Sequence, residues 1–78
     1  MPVGELIEYL ARSLVDDPDS VEVKEVAGER SAVLEISVAE DDIGKIIGRN
    51  GRIVGAIRTV AKAAAAKEGR RVEVEILE

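Results

Sequence analysis

The 78-residue chain has no cysteine, histidine, tryptophan or phenylalanine, and one tyrosine, Tyr9. Without cysteine there is neither a disulfide nor a thiolate metal site. Without histidine the usual metal ligand, general base and physiological pH switch are lost together. No clustered Ser–Lys or paired-carboxylate arrangement can be placed, so no reaction is implied and the chain is not expected to be an enzyme. One aromatic side chain, off the apolar stripe of its helix, excludes a platform that stacks bases on rings. No apolar run approaches the roughly 20 residues of a membrane span, and the N-terminus lacks a basic-then-apolar signal pattern. The expectation is a cytoplasmic protein with no cofactor, no metal, no membrane contact and no small-molecule substrate. Its size allows one small domain over residues 1–78, of a kind that often leans on a partner for stability.

What is present is charge, unevenly placed. The net charge is −5, which taken alone argues against nucleic acid. Residues 1–42 hold twelve acids against three bases, residues 43–71 hold eight bases against Glu68 alone, and residues 72–78 add three acids. A basic block inside an acidic chain is the pattern of a local site for an anion.

Val3, Leu6, Ile7, Leu10 and Leu14 recur at helical spacing, and the helix should end before Asp17, which precedes Pro18. Asp17-Pro18-Asp19-Ser20 reads as a turn. Val21 and Val23 alternate with polar residues in a strand over about 20–26. A second strand carries Ala32, Leu34, Ile36 and Val38 inward. The short Ala27–Arg30 connection makes the pair an antiparallel hairpin. Glu40-Asp41-Asp42 heads a short helix as a solvated acidic start, with Ile43, Ile46 and Ile47 on its buried face. Gly48-Arg49-Asn50-Gly51 interrupts it. A longer helix follows, with Ile53, Ile57, Val60, Ala61 and Ala64 on one face and Gly69 as its stop. Val72, Val74 and Ile76 alternate in a last strand. The order α-β-β-α-α-β allows the second and third strands to run parallel through a right-handed crossover. The expected fold is an α+β two-layer sandwich: a three-stranded mixed sheet with the helices on one face.

The informative stretch is Ile46-Ile47-Gly48-Arg49-Asn50-Gly51-Arg52-Ile53. A bare Gly-x-x-Gly arises about 0.4 times by chance in a chain of this length. Here it lies between two helices and is flanked by Lys45 and Arg52, with Arg49 inside it. Gly48 can turn the chain sharply through a positive φ. Gly51 leaves room for a phosphodiester to approach the main chain. The loop opens onto a helix N-terminus, where unpaired N–H groups favour an anion. Taking Ile53 as 0° on a helical wheel, Arg58, Lys62 and Arg52 fall at about 140°, 180° and 260°, on the polar side. Ile43, Ile47 and Val54 are the aliphatic candidates for holding bases. The small residues Gly55, Thr59 and Ala63 mark a face of the long helix suited to packing against another chain.

These features resemble the KH domain, whose Gly-x-x-Gly loop clamps the backbone of about four nucleotides, in its type II arrangement. The chain is similar throughout to small stand-alone bacterial KH proteins of the KhpA type: in Leu14-Val15-Asp16-Asp17-Pro18-Asp19, in Val21-Glu22-Val23, in Gly44 through Ile53, and in Ala56-Ile57-Arg58-Thr59. The resemblance implies single-stranded RNA binding through Lys45, Ile47, Gly48, Arg49, Asn50, Gly51, Arg52 and Arg58. It also implies homodimers, and a heteromer with a larger KH protein of the Jag/KhpB type, linked to RNA chaperoning, expression control, cell shape and cell-wall homeostasis. A module whose main work is pairing with such a partner is the other function class that the residues leave open.

Overall fold

The structure is a computed structural model covering residues 1–78. Helix α1 runs Val3–Leu14 and stops where Val15 turns extended. A single 3-10 turn, Pro18–Ser20, follows, its Ser20 Oγ donating to Asp17 Oδ2 at 2.7 Å. Strands β1 (Glu22–Ala27) and β2 (Ser31–Ser37) form the antiparallel hairpin. A 3-10 turn at Glu40–Asp42 leads into α2 (Ile43–Ile47), then the Gly48–Gly51 loop, then α3 (Arg52–Lys67) and β3 (Arg71–Ile76). The sheet order is β1-β2-β3, and β3 pairs parallel with the central β2. This is the expected α+β fold.

The core lies between the sheet and the helices. Ala32, Leu34 and Ile36 of β2 and Val72 and Val74 of β3 meet Val3, Ile7 and Ala11 of α1 and Ile57, Ala61 and Ala65 of α3. Alanines at the contact let the helix backbones lie close to the sheet, so the Ala61–Ala66 stretch serves packing as well as helix propensity.

Two expectations need correction. The α1 stripe is wider than the surface available to cover it. Val3, Ile7 and Ala11 are buried, but Leu10 is half-buried and Leu14 is 38% exposed. Strand β1 begins at Glu22, and Val21 is buried just before it. As an edge strand, β1 is otherwise mostly exposed.

Candidate nucleic-acid interface

The loop between α2 and α3 is a sequence of unusual backbone conformations. Gly48 has φ +75° and ψ 171°, a region open essentially only to glycine. Asn50 (φ +57°) and Gly51 (φ +73°) are both left-handed. The Gly48 N–H closes α2 onto Gly44 O at 2.9 Å, and the Gly51 N–H bonds Gly48 O at 3.1 Å. A Cβ on Gly48 would meet Ile53 Cγ1 at 2.6 Å, whereas one on Gly51 would meet only Val54 Cγ1 at 4.0 Å. Gly48 is therefore required by conformation and packing together, and Gly51 by conformation, with open space in front of it.

Gly51 is the N-cap of the 16-residue α3 and offers no side-chain acceptor to the first N–H groups. Those donors and the positive end of the helix dipole face the loop. Arg49, Asn50 and Arg52 are exposed around them, and neither arginine pairs with a carboxylate. Unpaired backbone donors beside two guanidiniums with no carboxylate partner are an arrangement that suits an anion.

The other expected site residues divide. Ile47 is half-buried at the end of α2. Lys45 is not a free cation: its Nζ lies 3.2 Å from Asp16 Oδ2 and 3.4 Å from Asp42 Oδ1. The bond to Asp16 and that carboxylate's charge, then Asp42, hold its pKa above the usual lysine value. Arg58 directs both Nε and Nη2 to the Val74 carbonyl at 3.2 Å, spanning from α3 to the free edge of β3. Val54 is buried, leaving Ile43 and Ile47 as the half-buried aliphatics of the expected groove. Ile43 joins Val38, Leu77 and Ser37 around a hollow of about 440 Å³ with Glu40 and Glu78 at its rim. Val38, just past the end of β2, and Leu77, just past the end of β3, are brought beside Ile43 by the fold, and neither was legible as its neighbour in the sequence. Carboxylates at that rim disfavour a phosphate, while the aliphatic floor suits a base.

Asp42 overturns the solvated helix start. It is 2% exposed, and its two oxygens accept the Asp16 and Asp17 N–H groups at 3.1 and 3.0 Å. The Asp16 N–H bond, helped by Asp17 and the Lys45 ammonium against the opposing effect of burial, holds the carboxyl below its ordinary pKa. The turn after α1 is in this way tied to α2, one helical turn before the loop. Two orphan donors beyond the α1 end at residues 16 and 17 could have signalled the need for a buried acceptor.

The loop, the uncapped helix and the sheet order agree with a match to the KH domain of KhpA/KhpB over residues 4–76. The chain belongs to that family. It is 60% identical to the RNA-binding protein KhpA of Clostridium acetobutylicum over 94% of this chain and 97% of the relative. With KhpA of Caldanaerobacter subterraneus subsp. tengcongensis the identity is 55% over 96% and 100%. With KhpA of Aquifex aeolicus it is 45% over 95% and 94%. Among solved structures, Era in complex with MgGDPNP and nucleotides 1506–1542 of 16S ribosomal RNA superposes with a TM-score of 0.68 at 26% identity, over 97% of this chain and 30% of Era. Aquifex aeolicus Era Y63A bound to GDP·AlF4⁻ gives 0.65 at 26% identity, over 97% and 31%. The family is one of KH domains and not of enzymes.

Proposed function

We propose that this chain is a cytoplasmic single-stranded RNA-binding protein that grips the RNA backbone with Gly48, Arg49, Asn50 and Gly51 at the N-terminus of α3. The observation that carries the reading is the uncapped helix start behind a left-handed Asn-Gly turn, with Arg49 and Arg52 free of carboxylates. KhpA relatives named as RNA-binding proteins, and an Era structure holding ribosomal RNA, support it. Binding is weak and salt-sensitive, because the net charge of −5 opposes long-range attraction and only a local patch draws phosphate. Three neutralised phosphates correspond to a slope near −2 in log K against log[salt] for a single strand.

The test is the pair Arg49→Asp with Asn50→Asp. Aspartate tolerates the left-handed position, so circular dichroism should be unchanged while RNA binding collapses. Retained binding overturns the clamp.

Pairing with another chain is a second element of the proposal. An apolar groove of about 360 Å³ between α1 and α3 is lined by Leu10, Leu14, Ile53, Ala56, Ile57 and Val60. It adjoins the exposed Gly55, Thr59 and Ala63. One clamp holds about four nucleotides, and joining two raises avidity by about 10²–10⁴. The resemblance extends the proposal to a homodimer or a heteromer with a larger Jag/KhpB-type KH protein, acting in RNA chaperoning and in cell-shape and cell-wall homeostasis. Co-purification of such a partner from cell extract, kept when the clamp is mutated although the RNA is lost, tests that assembly.

A further inference from the structure

Asn50 is the only asparagine in a chain that has no glutamine, so it carries the only side-chain amide. The next residue is Gly51. In an Asn-Gly pair no side chain hinders the approach of the glycine nitrogen to the asparagine Cγ, and the pair cyclises more readily than asparagine before any bulkier residue. Asn50 is exposed, and no hydrogen bond involves its carboxamide. None of Arg49, Asn50 and Gly51 is buried.

The surroundings favour the chemistry. Arg49 and Arg52 pair with no carboxylate, and the start of α3 adds the positive end of its dipole. Positive potential stabilises a deprotonated Gly51 nitrogen and the oxyanion formed when it attacks. The closed turn opposes it. Ring closure needs the Gly51 nitrogen to eclipse the Asn50 Cβ. At ψ 25° that nitrogen lies instead close to eclipsing the nitrogen of Asn50, and its N–H is bonded to Gly48 O at 3.1 Å. The reaction therefore waits on opening of the turn. A left-handed conformation is unfavourable for a residue with a Cβ, and an exposed turn has little packing to hold it, so opening is local and does not require the fold to melt.

We propose that Asn50 is a site of spontaneous modification that disarms the clamp. The Gly51 nitrogen gives its proton to solvent and attacks the Asn50 Cγ. A C–N bond forms, and the side-chain nitrogen takes up a proton and leaves as ammonia, giving a five-membered succinimide. Water opens the ring at either carbonyl. One product is aspartate. The other is isoaspartate, in which the main chain runs through the former side chain and is one methylene longer. Both set a carboxylate beside Arg49, Arg52 and the helix start, where a phosphate would sit, and the longer main chain also breaks the Gly51–Gly48 bond. RNA held in the clamp keeps the turn closed and protects the amide. The loss of binding rests on the RNA-clamp reading above, whereas the cyclisation does not.

The purified full chain is held at 37 °C and mildly alkaline pH, with and without an oligouridylate at ten times its Kd. Intact mass reads the conversion of amide to acid, which here has a single source. Isoaspartyl methyltransferase labels the isoaspartate, with Asn50→Gln, whose ring would be six-membered, as the blank. Free wild type should convert over days and Asn50→Gln far more slowly, and the oligomer should slow wild type about tenfold. Converted protein, separated by anion exchange, should bind the oligomer about tenfold more weakly or worse, since like charges then meet. Wild type that keeps its amide as fully as Asn50→Gln overturns the modification. Conversion that bound oligomer does not slow, or converted protein that binds like wild type, overturns its link to the clamp. Wild type that converts but binds no oligomer before conversion overturns the clamp reading, and the disarming with it, while the cyclisation stands.

Discussion

Ile53 packs so closely over Gly48 that a Cβ at position 48 would stand 2.6 Å from its Cγ1 and 2.9 Å from its backbone nitrogen. The first turn of α3 therefore sits on the residue that ends α2. The clamp's shape is held by this contact and by the left-handed Asn50 and Gly51, without a side-chain cap. The two glycines of the motif have different duties, and substitution should separate them.

Gly48→Ala combines a disallowed backbone region with a collision that neither Ile53 nor the helix can yield to. A loss of about 2 kcal/mol or more is expected, near 10 °C in melting temperature for a chain of this size. Gly51→Ala meets open space and pays only the left-handed cost of about 1–2 kcal/mol. Thermal melts of both should show the larger drop at position 48. Equal drops would mean that packing against Ile53 is not what requires glycine.

Lys45 is shared between Asp16, which is exposed, and Asp42, which is buried. Asp16→Asn removes one competitor while keeping the backbone N–H that Asp42 accepts. The freed ammonium should turn partly to phosphate, raising RNA affinity about two- to threefold at low salt, a modest gain because exposed ion pairs are weak. Lys45→Ala should cost little in the wild type and cancel the gain in the Asp16→Asn background. An Asp16→Asn protein with unchanged affinity would show that Lys45 does not reach the RNA.

The Asp42 carboxyl is held below its ordinary value near 3.8. A depressed carboxylate stabilises the fold at every pH above its unfolded pKa, and that contribution fades as pH falls through about 3.8 and below. Lys45, held above 10.5, acts in the opposite sense: its contribution is complete below 10.5 and is lost only as pH rises past it. Between these limits, with no histidine in the chain, neither group adds a pH dependence. Asp42→Asn should lower the melting temperature at pH 7 by several degrees and flatten the decline that wild type shows as pH falls below about 4. A variant that declines as steeply as wild type would assign the acid limb to other carboxylates.

Thr59→Arg or Ala63→Arg places a charge on the exposed face of α3 beside the Leu14–Val60 groove. Sedimentation velocity at tens of micromolar should then show monomers where the wild type self-associates. RNA affinity should fall less than in the loop double variant, since each chain keeps its clamp. Dimers that survive both substitutions place the contact elsewhere, with Val60→Arg as the next probe.

The elements of this fold were legible because each is specified locally. The 3.6-residue spacing of Val3, Ile7 and Leu10, the alternation in Ala32–Ile36 and Val72–Ile76, and the tight Gly28–Arg30 turn depend on neighbours a few residues away. The loop was legible for the same reason: two glycines three apart, behind an isoleucine pair and before a helix, leave few conformations. Legibility ended where partners are distant in the chain. Nothing near Asp42 marks it as the acceptor for Asp16 and Asp17, twenty-six and twenty-five residues earlier. Lys45 and Arg58 read as free cations, because ion pairing and capping depend on which carboxylate or strand edge folding brings alongside. The sequence determines which side chains carry charge and which backbone positions require glycine. Only the packed structure, by giving Lys45 and Arg58 partners and leaving others such as Arg49 and Arg52 without them, decides which remain available to an anion.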